Sequence, residues 1–123
     1  MKEEKRSKRF HGIDRHKRSS TISILNCEGQ EEKLVTYGDL NEYIKTLGSE
    51  DAVVMETGIG CFYWADKIEQ QGTQCFIIDP YRFRIIKDSW KKTDKHDCRN
   101  LAKALWVYII TGEFGIPEVY KPS

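Results

Sequence analysis

Two short apolar runs, each followed by an acidic residue, restrict the possible folds of this chain more than any other feature. One run lies in Asp51–Glu56, and the other lies in Thr73–Ile78 and ends at Asp79-Pro80. Uninterrupted apolar runs of this length are typical of strands that are covered on both faces, as in parallel sheets. The segment between them fits a helix over Cys61–Gln71 that ends at Gly72. We therefore predict a strand–helix–strand unit with further helices covering the sheet.

The flanking segments add strands before this unit and helices around it. Alternating residues in the first third predict a meander of three strands, at Phe10–Lys17, Thr21–Asn26 and Glu32–Tyr37. A helix capped by Asp39 is expected to run to Leu47, and two more helices are expected over Tyr81–Lys92 and Asp94–Thr111. The order βββαβαβαα predicts an α/β protein with a mixed sheet and helices on both faces, as in a ribonuclease-H-like fold.

Length and composition favour one small globular domain. The chain has 123 residues, of which 39% are hydrophobic and 32% are charged. No apolar run approaches the roughly 20 residues that cross a bilayer, and the charged N-terminus is unlike a signal peptide. We expect a cytoplasmic protein without membrane contact, with a basic arm at 1–11 and a folded domain at 12–123. The four cysteines lack zinc spacing and are expected to be reduced.

Positive charge is concentrated in two segments on either side of an acidic middle. Residues 1–20 carry eight Lys or Arg against three Asp or Glu, and residues 82–103 carry the same numbers. Residues 21–81 carry three Lys or Arg against eleven Asp or Glu. The two basic segments are either solvated faces or parts of a site for a polyanion.

The start of the last predicted helix has two acidic residues on its apolar side. Asp94 and Asp97 continue, at helical spacing, the stripe formed by Leu101, Leu105 and Tyr108. Acidic residues seldom share a helix face with the core. Two explanations stay open from spacing alone. The pair can cap the helix at the positive end of its dipole, or it can belong to a functional site.

Two more carboxylates fall in predicted strands. Asp14 lies within Gly12-Ile13-Asp14, and Glu56 closes the first buried strand. Ligands of open α/β sheets gather at the carboxyl ends of strands, so these groups can meet Asp94 and Asp97 there. Clustered carboxylates raise each other's pKa unless a cation neutralises them. Mg²⁺ prefers such oxygen ligands, and two ions about 4 Å apart would support phosphodiester chemistry.

Three short motifs now allow a comparison with a known family. They are GIDRHK at 12–17, METG at 55–58 and KTDKHD at 92–97, with Ile78-Asp79-Pro80 between the last two. In this order and spacing they resemble the DEDD transposases of the IS-one-ten insertion-sequence group, which are relatives of Piv-type DNA invertases. The resemblance runs from Gly12 to the end of the chain.

The resemblance implies a RuvC-like N-terminal domain in which Asp14, Glu56, Asp94 and Asp97 form the catalytic, Mg²⁺-binding tetrad, with Mn²⁺ able to substitute. It implies DNA transposition by a site-specific recombinase that acts on mobile-element ends and target DNA near a prokaryotic nucleoid. Full-length family members form homo-oligomers, and a guide RNA directs some of them. The family's C-terminal region, with a serine regarded as the nucleophile, is missing here. We therefore expect the chain to be truncated and inactive alone.

Most cations of the second basic segment precede the Asp pair, where they suit a phosphate backbone. The candidate nucleic-acid contacts are Arg82, Arg84, Lys87, Lys91, Lys92 and Lys95. The interleaved Phe83, Ile86 and Trp90 have core spacing, and we expect them to pack inward rather than to stack on bases. His16 and His96 flank tetrad positions and are expected to support them rather than to bind metal.

Two other functions remain open. Glu56-Thr57-Gly58-Ile59-Gly60, with Asp79 after the next strand, is close to the E-x-G-x-G…D pattern of S-adenosylmethionine-dependent methyltransferases. Phe62 stands where that pattern has its third glycine, and the pattern leaves the GID and T-D-x-x-D motifs unexplained. The other alternative is a non-catalytic remnant that binds nucleic acid.

Overall fold

The computed structural model describes residues 8–111. Most of the arm predicted at 1–11 and the residues after 111 lie outside this range. The element order is βββαβαβαα, as predicted. The elements are β1 Arg9–Arg15, β2 Ser20–Leu25, β3 Glu31–Tyr37, α1 Leu40–Ile44, β4 Asp51–Glu56, α2 Cys61–Glu69, β5 Gln74–Ile78, α3 Pro80–Asp88 and α4 Asp97–Thr111.

The five strands form one mixed sheet in the order β3-β2-β1-β4-β5. β1 and β2 pair antiparallel, as do β2 and β3, whereas β4 is parallel to both β1 and β5. The meander therefore builds one half of the sheet, and the strand–helix–strand unit builds the other. The carboxyl ends of β1, β4 and β5 share one edge.

Helices cover both faces of the sheet, as the apolar runs predict. On one face, α1 and α2 pack through Tyr43, Ala65 and Ile68 against Ile13 and Met55. On the other, α3 and α4 cover a second set of buried residues: Phe10, Leu25, Ala52, Val54, Ile78, Phe83, Leu101, Ala102, Ala104 and Leu105. β4 contributes to both cores because its successive side chains point to opposite faces.

The inward packing expected for the basic helix α3 is confirmed. Phe83 is fully buried, and Ile86 and Trp90 pack against the same core. α3 is shorter than predicted and ends at Asp88, because the chain tightens into three-residue turns. There the Ser89 amide bonds the Ile86 carbonyl, and the Ser89 hydroxyl donates to the same oxygen over 2.6 Å.

Two other helices also differ from their predicted bounds. α1 ends at Ile44 rather than Leu47, since the Thr46 amide and hydroxyl both bond the Tyr43 carbonyl. α4 begins at Asp97 rather than Asp94. Asn100 reaches back and closes a loop there: its Oδ1 accepts from the Asp94 amide, and its Nδ2 donates to the Asp94 carbonyl. The Asp94–Asp97 capping pair is therefore not formed.

β1 begins before the predicted end of the N-terminal arm. Arg9, Phe10 and His11 belong to this strand, and Phe10 is fully buried in the core. The strand predicted at Phe10–Lys17 is therefore confirmed with shifted bounds, since it begins one residue earlier, at Arg9, and ends at Arg15. Phe10 and His11, which the predicted arm at 1–11 also included, are buried. All four cysteines are free, as expected.

Candidate functional site

Two of the predicted carboxylates lie side by side where parallel strands end. Ile13 of β1 pairs with Met55 of β4, so the next residues along, Asp14 and Glu56, stand at the same level of the sheet. Side chains alternate between faces along a strand, which puts both carboxylates on the face covered by α3 and α4. The strand-end arrangement expected from the sequence is therefore present for this pair.

A close backbone contact brings the start of α4 to the same place. Gly12, two residues before Asp14, lies directly beneath α4. A Cβ atom at this position would overlap the carbonyl oxygen of Cys98 and would lie 2.5 Å from the amide nitrogen of Ala102. Only glycine permits this approach. Asp97, adjacent to Cys98, is thereby held near the ends of β1 and β4.

Glu56 has the electrostatic environment of a carboxylate among other carboxylates. Its pKa is raised first by burial and then by the negative charges of Asp97, Asp14 and Asp79, while Lys87 lowers it. Three of the four tetrad residues are thus close enough to influence one titration. Asp79, which follows β5, adds a further negative charge to the edge.

Asp97 already has a cationic partner. The Lys87 ammonium of α3 lies 2.9 Å from Asp97 Oδ1, and the lysine side chain is only 21% exposed. The same ammonium lies 4.7 Å from the centroid of the Phe83 ring. Lys87, a predicted nucleic-acid contact, is therefore engaged with the carboxylate cluster.

Asp14 and Asp94 each have a histidine partner, which agrees with the supporting role expected for His16 and His96. His16 Nε2 lies 3.2 Å from Asp14 Oδ2. His96 donates its backbone amide to Asp94 Oδ1 over 2.8 Å, and this bond is the first cause of the lowered pKa of Asp94. Burial raises the pKa of the Cys98 thiol to about 11, and the charge of Asp14 adds to the shift.

Asp94 is directed toward a different group of charges from the other three. Its Oδ2 lies 3.5 Å from Arg99, and Arg99 forms a two-pronged bond with Glu31 of β3 at 2.9 and 3.1 Å. The sequence places Asp94 and Asp97 in one motif, but their side chains have separate partners. The structure brings together Asp14, Glu56 and Asp97, and it leaves Asp94 exposed at the margin.

The donor chemistry of the cluster fits a hard divalent cation, because carboxylate oxygens are the ligands that Mg²⁺ prefers. Among residues 8–111, however, no three His, Cys, Asp or Glu side chains are arranged to hold a metal ion. Two of the carboxylates already have partners, since Lys87 is paired with Asp97 and His16 is paired with Asp14. Asp14, Glu56 and Asp97 are the residues that would hold a cation.

The other predicted nucleic-acid contacts lie on α3 and the segment after it. All are exposed: Arg82, Arg84, Lys91, Lys92 and Lys95. Tyr81 and Ile85 of α3 are also exposed, at 66% and 54%. This face is accessible to a large ligand.

A cleft of about 720 Å³ opens at the same edge of the sheet. It is lined by Ile13–Ser20, Gly38–Leu40, Met55–Ile59 and Trp64. The basic run Arg15-His16-Lys17-Arg18 forms its rim. Of these four residues, the sequence assigned a role only to His16, as a support for Asp14, and did not predict Arg15, Lys17 and Arg18 as ligand contacts. The signal was available, since the run directly follows Asp14.

The glycine loop of the methyltransferase pattern borders this cleft. Gly60 is the N-cap of α2 with a φ of 76°, a left-handed conformation that favours glycine. One guanidinium nitrogen of Arg15 donates to the Ile59 carbonyl over 2.9 Å, and the other lies 3.2 Å from where a Gly58 Cβ would stand. Arg15 thus covers the loop that would cradle a cofactor in that pattern.

Comparisons with known proteins give no further assignment. No family model matches the chain, and no curated protein matches it. In the part of the chain that the structure describes, no helix has the length and apolar character needed to span a membrane.

Proposed function

We propose that this chain is the RuvC-like, ribonuclease-H-like N-terminal domain of a DEDD transposase, which binds DNA and a divalent cation. The strand order 3-2-1-4-5 and the element order βββαβαβαα are consistent with this topology. The single observation that supports the proposal is the proximity of Asp14, Glu56 and Asp97 at one edge, where burial and the other carboxylates raise the pKa of Glu56.

Each residue of the cluster has a role in this proposal. Asp14, Glu56 and Asp97 hold Mg²⁺, or Mn²⁺ in its place, and Asp94 joins them only after leaving Arg99. The bound cation supplies activation of the attacking oxygen and stabilisation of the leaving oxygen in phosphodiester chemistry. Arg82, Arg84, Lys91, Lys92 and Lys95 attract the phosphate backbone of the DNA.

The rest of the family's reaction is assigned to other parts of the assembly. In this proposal, the serine-bearing region is part of the full-length protein, which would act as a homo-oligomer together with a guide RNA. We therefore expect little or no strand transfer from these 123 residues alone. Their own activity is binding of cation and DNA.

Titration with Mn²⁺ tests the cation site. We expect binding by the wild type, and its loss in Asp94→Ala with Asp97→Ala. Among the single variants, Asp97→Ala is expected to weaken binding more than Asp94→Ala, since Asp94 stands apart. The double variant Glu28→Ala with Glu32→Ala removes two exposed acids from the β2–β3 hairpin and should leave affinity unchanged. Unaltered Mn²⁺ affinity in the Asp94/Asp97 variant would refute the assignment.

One observation supports the methyltransferase alternative: the Gly58–Gly60 loop joins β4 to α2, and Asp79 follows the neighbouring strand. Thermal shift separates the two functions. Stabilisation by Mg²⁺ or Mn²⁺ supports the transposase domain. Stabilisation by S-adenosylmethionine alone supports a methyltransferase. DNA binding without any response to either supports a non-catalytic remnant.

A further inference from the structure

The cleft lies at a particular point in the topology of the sheet. β1 and β4 are parallel neighbours, but the chain leaves β1 toward β2 and leaves β4 toward β5, on opposite sides. Such a switch of direction opens a crevice at the carboxyl ends of the two strands, and ligands of α/β sheets bind there. The 720 Å³ cleft is at this position, and its volume suits a ligand of nucleotide size or somewhat larger.

The rim of the cleft is positively charged on one side. The turn between β1 and β2 is tight, with the His16 amide bonded to the Ser19 carbonyl over 2.8 Å. Lys17 and Arg18 at its tip are exposed, and among the described residues neither has a hydrogen-bond or ion-pair partner. Arg15 spans the cleft to the Ile59 carbonyl and so fixes one guanidinium above its floor.

Most acidic residues that line the cleft already have hydrogen-bond or ion-pair partners within the protein. Asp39 accepts bonds from the amide and the side chain of Asn41 as the cap of α1, and Asp14 is paired with His16. Glu56 is the remaining acid, and it also belongs to the carboxylate cluster. Lys17 and Arg18 of the turn are therefore available to an anion, and the guanidinium of Arg15, held by the Ile59 carbonyl, stands beside them. Glu56 links the cleft to the proposed catalytic edge.

The cleft also offers an apolar surface beside the cations. Ile59 is completely exposed, and Trp64 lines the wall below it. Cations next to an exposed apolar side chain and an indole match a ligand with alternating phosphates and planar bases. A small inorganic anion would use only part of this surface.

We propose that this cleft binds a phosphate-ester ligand, the backbone of a single nucleic-acid strand, through Arg15, Lys17 and Arg18. One base of the strand packs against Ile59 and Trp64. This inference rests on the proposed function, since it gives the DNA a second contact surface beside the face of α3. It places this contact next to the carboxylate cluster, since Asp14 and Glu56 line the same cleft.

The test measures anisotropy of a labelled single strand of about 12 nucleotides, in EDTA and over a range of salt concentrations. The variant is Lys17→Ala with Arg18→Ala, which leaves the Arg15 bond intact. The matched control is Lys33→Ala with Lys45→Ala, which removes the same charge from β3 and from the end of α1. Thermal melting verifies that all three proteins fold.

We expect the plot of log affinity against log salt to lose about 1.4 units of slope in the cleft variant, because each contact with a single strand contributes about 0.7. At 0.05 M salt this corresponds to roughly tenfold to hundredfold weaker binding. The control variant should keep nearly the wild-type slope. Equal slopes and affinities for the two double variants would overturn the inference.

A competition experiment identifies the source of the phosphate ester. A mononucleotide at equal phosphate concentration should displace the strand poorly, since it provides one contact instead of several. Displacement as effective as that by an unlabelled strand would show that the ligand is a free nucleotide and would overturn the strand assignment. Since EDTA removes divalent ions, failure of the Mn²⁺ titration and failure of this binding test are independent results.

Discussion

β4 has an acidic residue at each end, and the two residues differ in almost every respect except their strand. Asp51 at the start is 2% exposed and has three partners: His11 Nε2 at 2.8 Å, Arg9 Nε at 2.7 Å and the Gly48 amide at 2.9 Å. Glu56 at the end is partly buried and faces other carboxylates. The carboxylate at the start of β4 is thus surrounded by hydrogen-bond donors, whereas the one at the end lies among other negative charges.

The pKa values reflect this difference. Burial alone would raise the pKa of Asp51, but the bonds from His11, Arg9 and the Gly48 amide outweigh it and hold the pKa well below its usual range. A carboxylate only accepts hydrogen bonds, so His11 Nε2 carries a proton, and its Nδ1 lies 2.7 Å from the Tyr43 hydroxyl. For Glu56, burial and neighbouring charge act in the same direction and raise the pKa.

The comparison separates a carboxylate that is fully paired from one that faces other carboxylates. In the described residues, no buried side-chain nitrogen or oxygen lacks a hydrogen-bond partner. The chain can therefore satisfy buried polar groups where the fold requires it. At the carboxyl edge Lys87 and His16 compensate the carboxylates only in part, and the pKa of Glu56 stays raised. Perturbed carboxylates of this kind are candidates for functional sites.

The largest expected effect comes from removing the paired end. Asp51→Ala leaves His11 and Arg9 without their shared acceptor, and loss of one partner from a buried pair costs about 3–5 kcal/mol. Glu56→Ala on the same strand is the matched variant and should change the free energy of unfolding far less, since it relieves repulsion. Urea denaturation measures both. Equal losses for the two variants would show that the ends of β4 do not differ as described.

A smaller effect is expected where the backbone of α4 meets β1. Gly12→Ala forces a methyl group against the Cys98 carbonyl, and overpacking of this kind costs about 1–3 kcal/mol or somewhat more. Because α4 must shift, Mn²⁺ affinity should fall along with stability. Gly38→Ala is the control, since nothing lies within 4 Å of a Cβ there. If Gly12→Ala unfolds at the wild-type urea concentration, the close contact does not position α4.

The smallest expected effect is on how the free energy of unfolding changes with pH. Asp51 and Glu56 contribute to this change with opposite signs. The stabilisation by Asp51 is present above its unfolded pKa of 3.8 and is lost as pH falls through the lower folded value. Glu56 behaves oppositely, because its charged form is disfavoured in the fold. Its penalty is present at neutral pH and is relieved as pH falls toward the unfolded value of 4.5.

Stability relative to Glu56→Gln should therefore increase on mild acidification, because the raised pKa of Glu56 lets the fold bind the proton more tightly than the unfolded chain. Lys87→Met should raise the pKa of Glu56 further, since Lys87 now lowers it. NMR titration of the Glu56 carboxyl carbon follows this change directly. A downward shift of the pKa in Lys87→Met would contradict the proximity of these groups.

The sequence predicted the fold well because the decisive signals are local. The apolar runs of β4 and β5 and the alternation in β2 each follow from neighbouring residues. The errors are at helix ends, where a single side chain bonds the backbone: Thr46 at the end of α1, Ser89 at the end of α3 and Asn100 at the start of α4. Asn100 delays the start of α4 by bonding the backbone of Asp94, an interaction across six residues that no capping pattern encodes.

The candidate site was predictable in part for the same reason. Strand ends and face alternation suffice to pair Asp14 with Glu56. The partners of Asp97 and Asp94 depend on how α3 and α4 pack: Lys87 comes from another helix, and Arg99 is shared with Glu31, which is 68 residues away. The family resemblance implied one role for both aspartates, and packing gave them different neighbours.

The contact of Gly12 with α4 also determines where Asp97 points. The helix backbone touches β1 at both Cys98 and Ala102, so α4 cannot turn about its axis without losing that seat. Deleting Cys98 would bring a different residue into contact with Gly12. It would also rotate the Asp97 carboxylate by about 100° around the helix axis, away from Glu56. A residue inserted at 91–93, ahead of the helix, would leave that direction unchanged. Whether the Asp97 carboxylate still points toward Glu56 after a deletion or insertion therefore depends on which side of the contact with Gly12 the change lies.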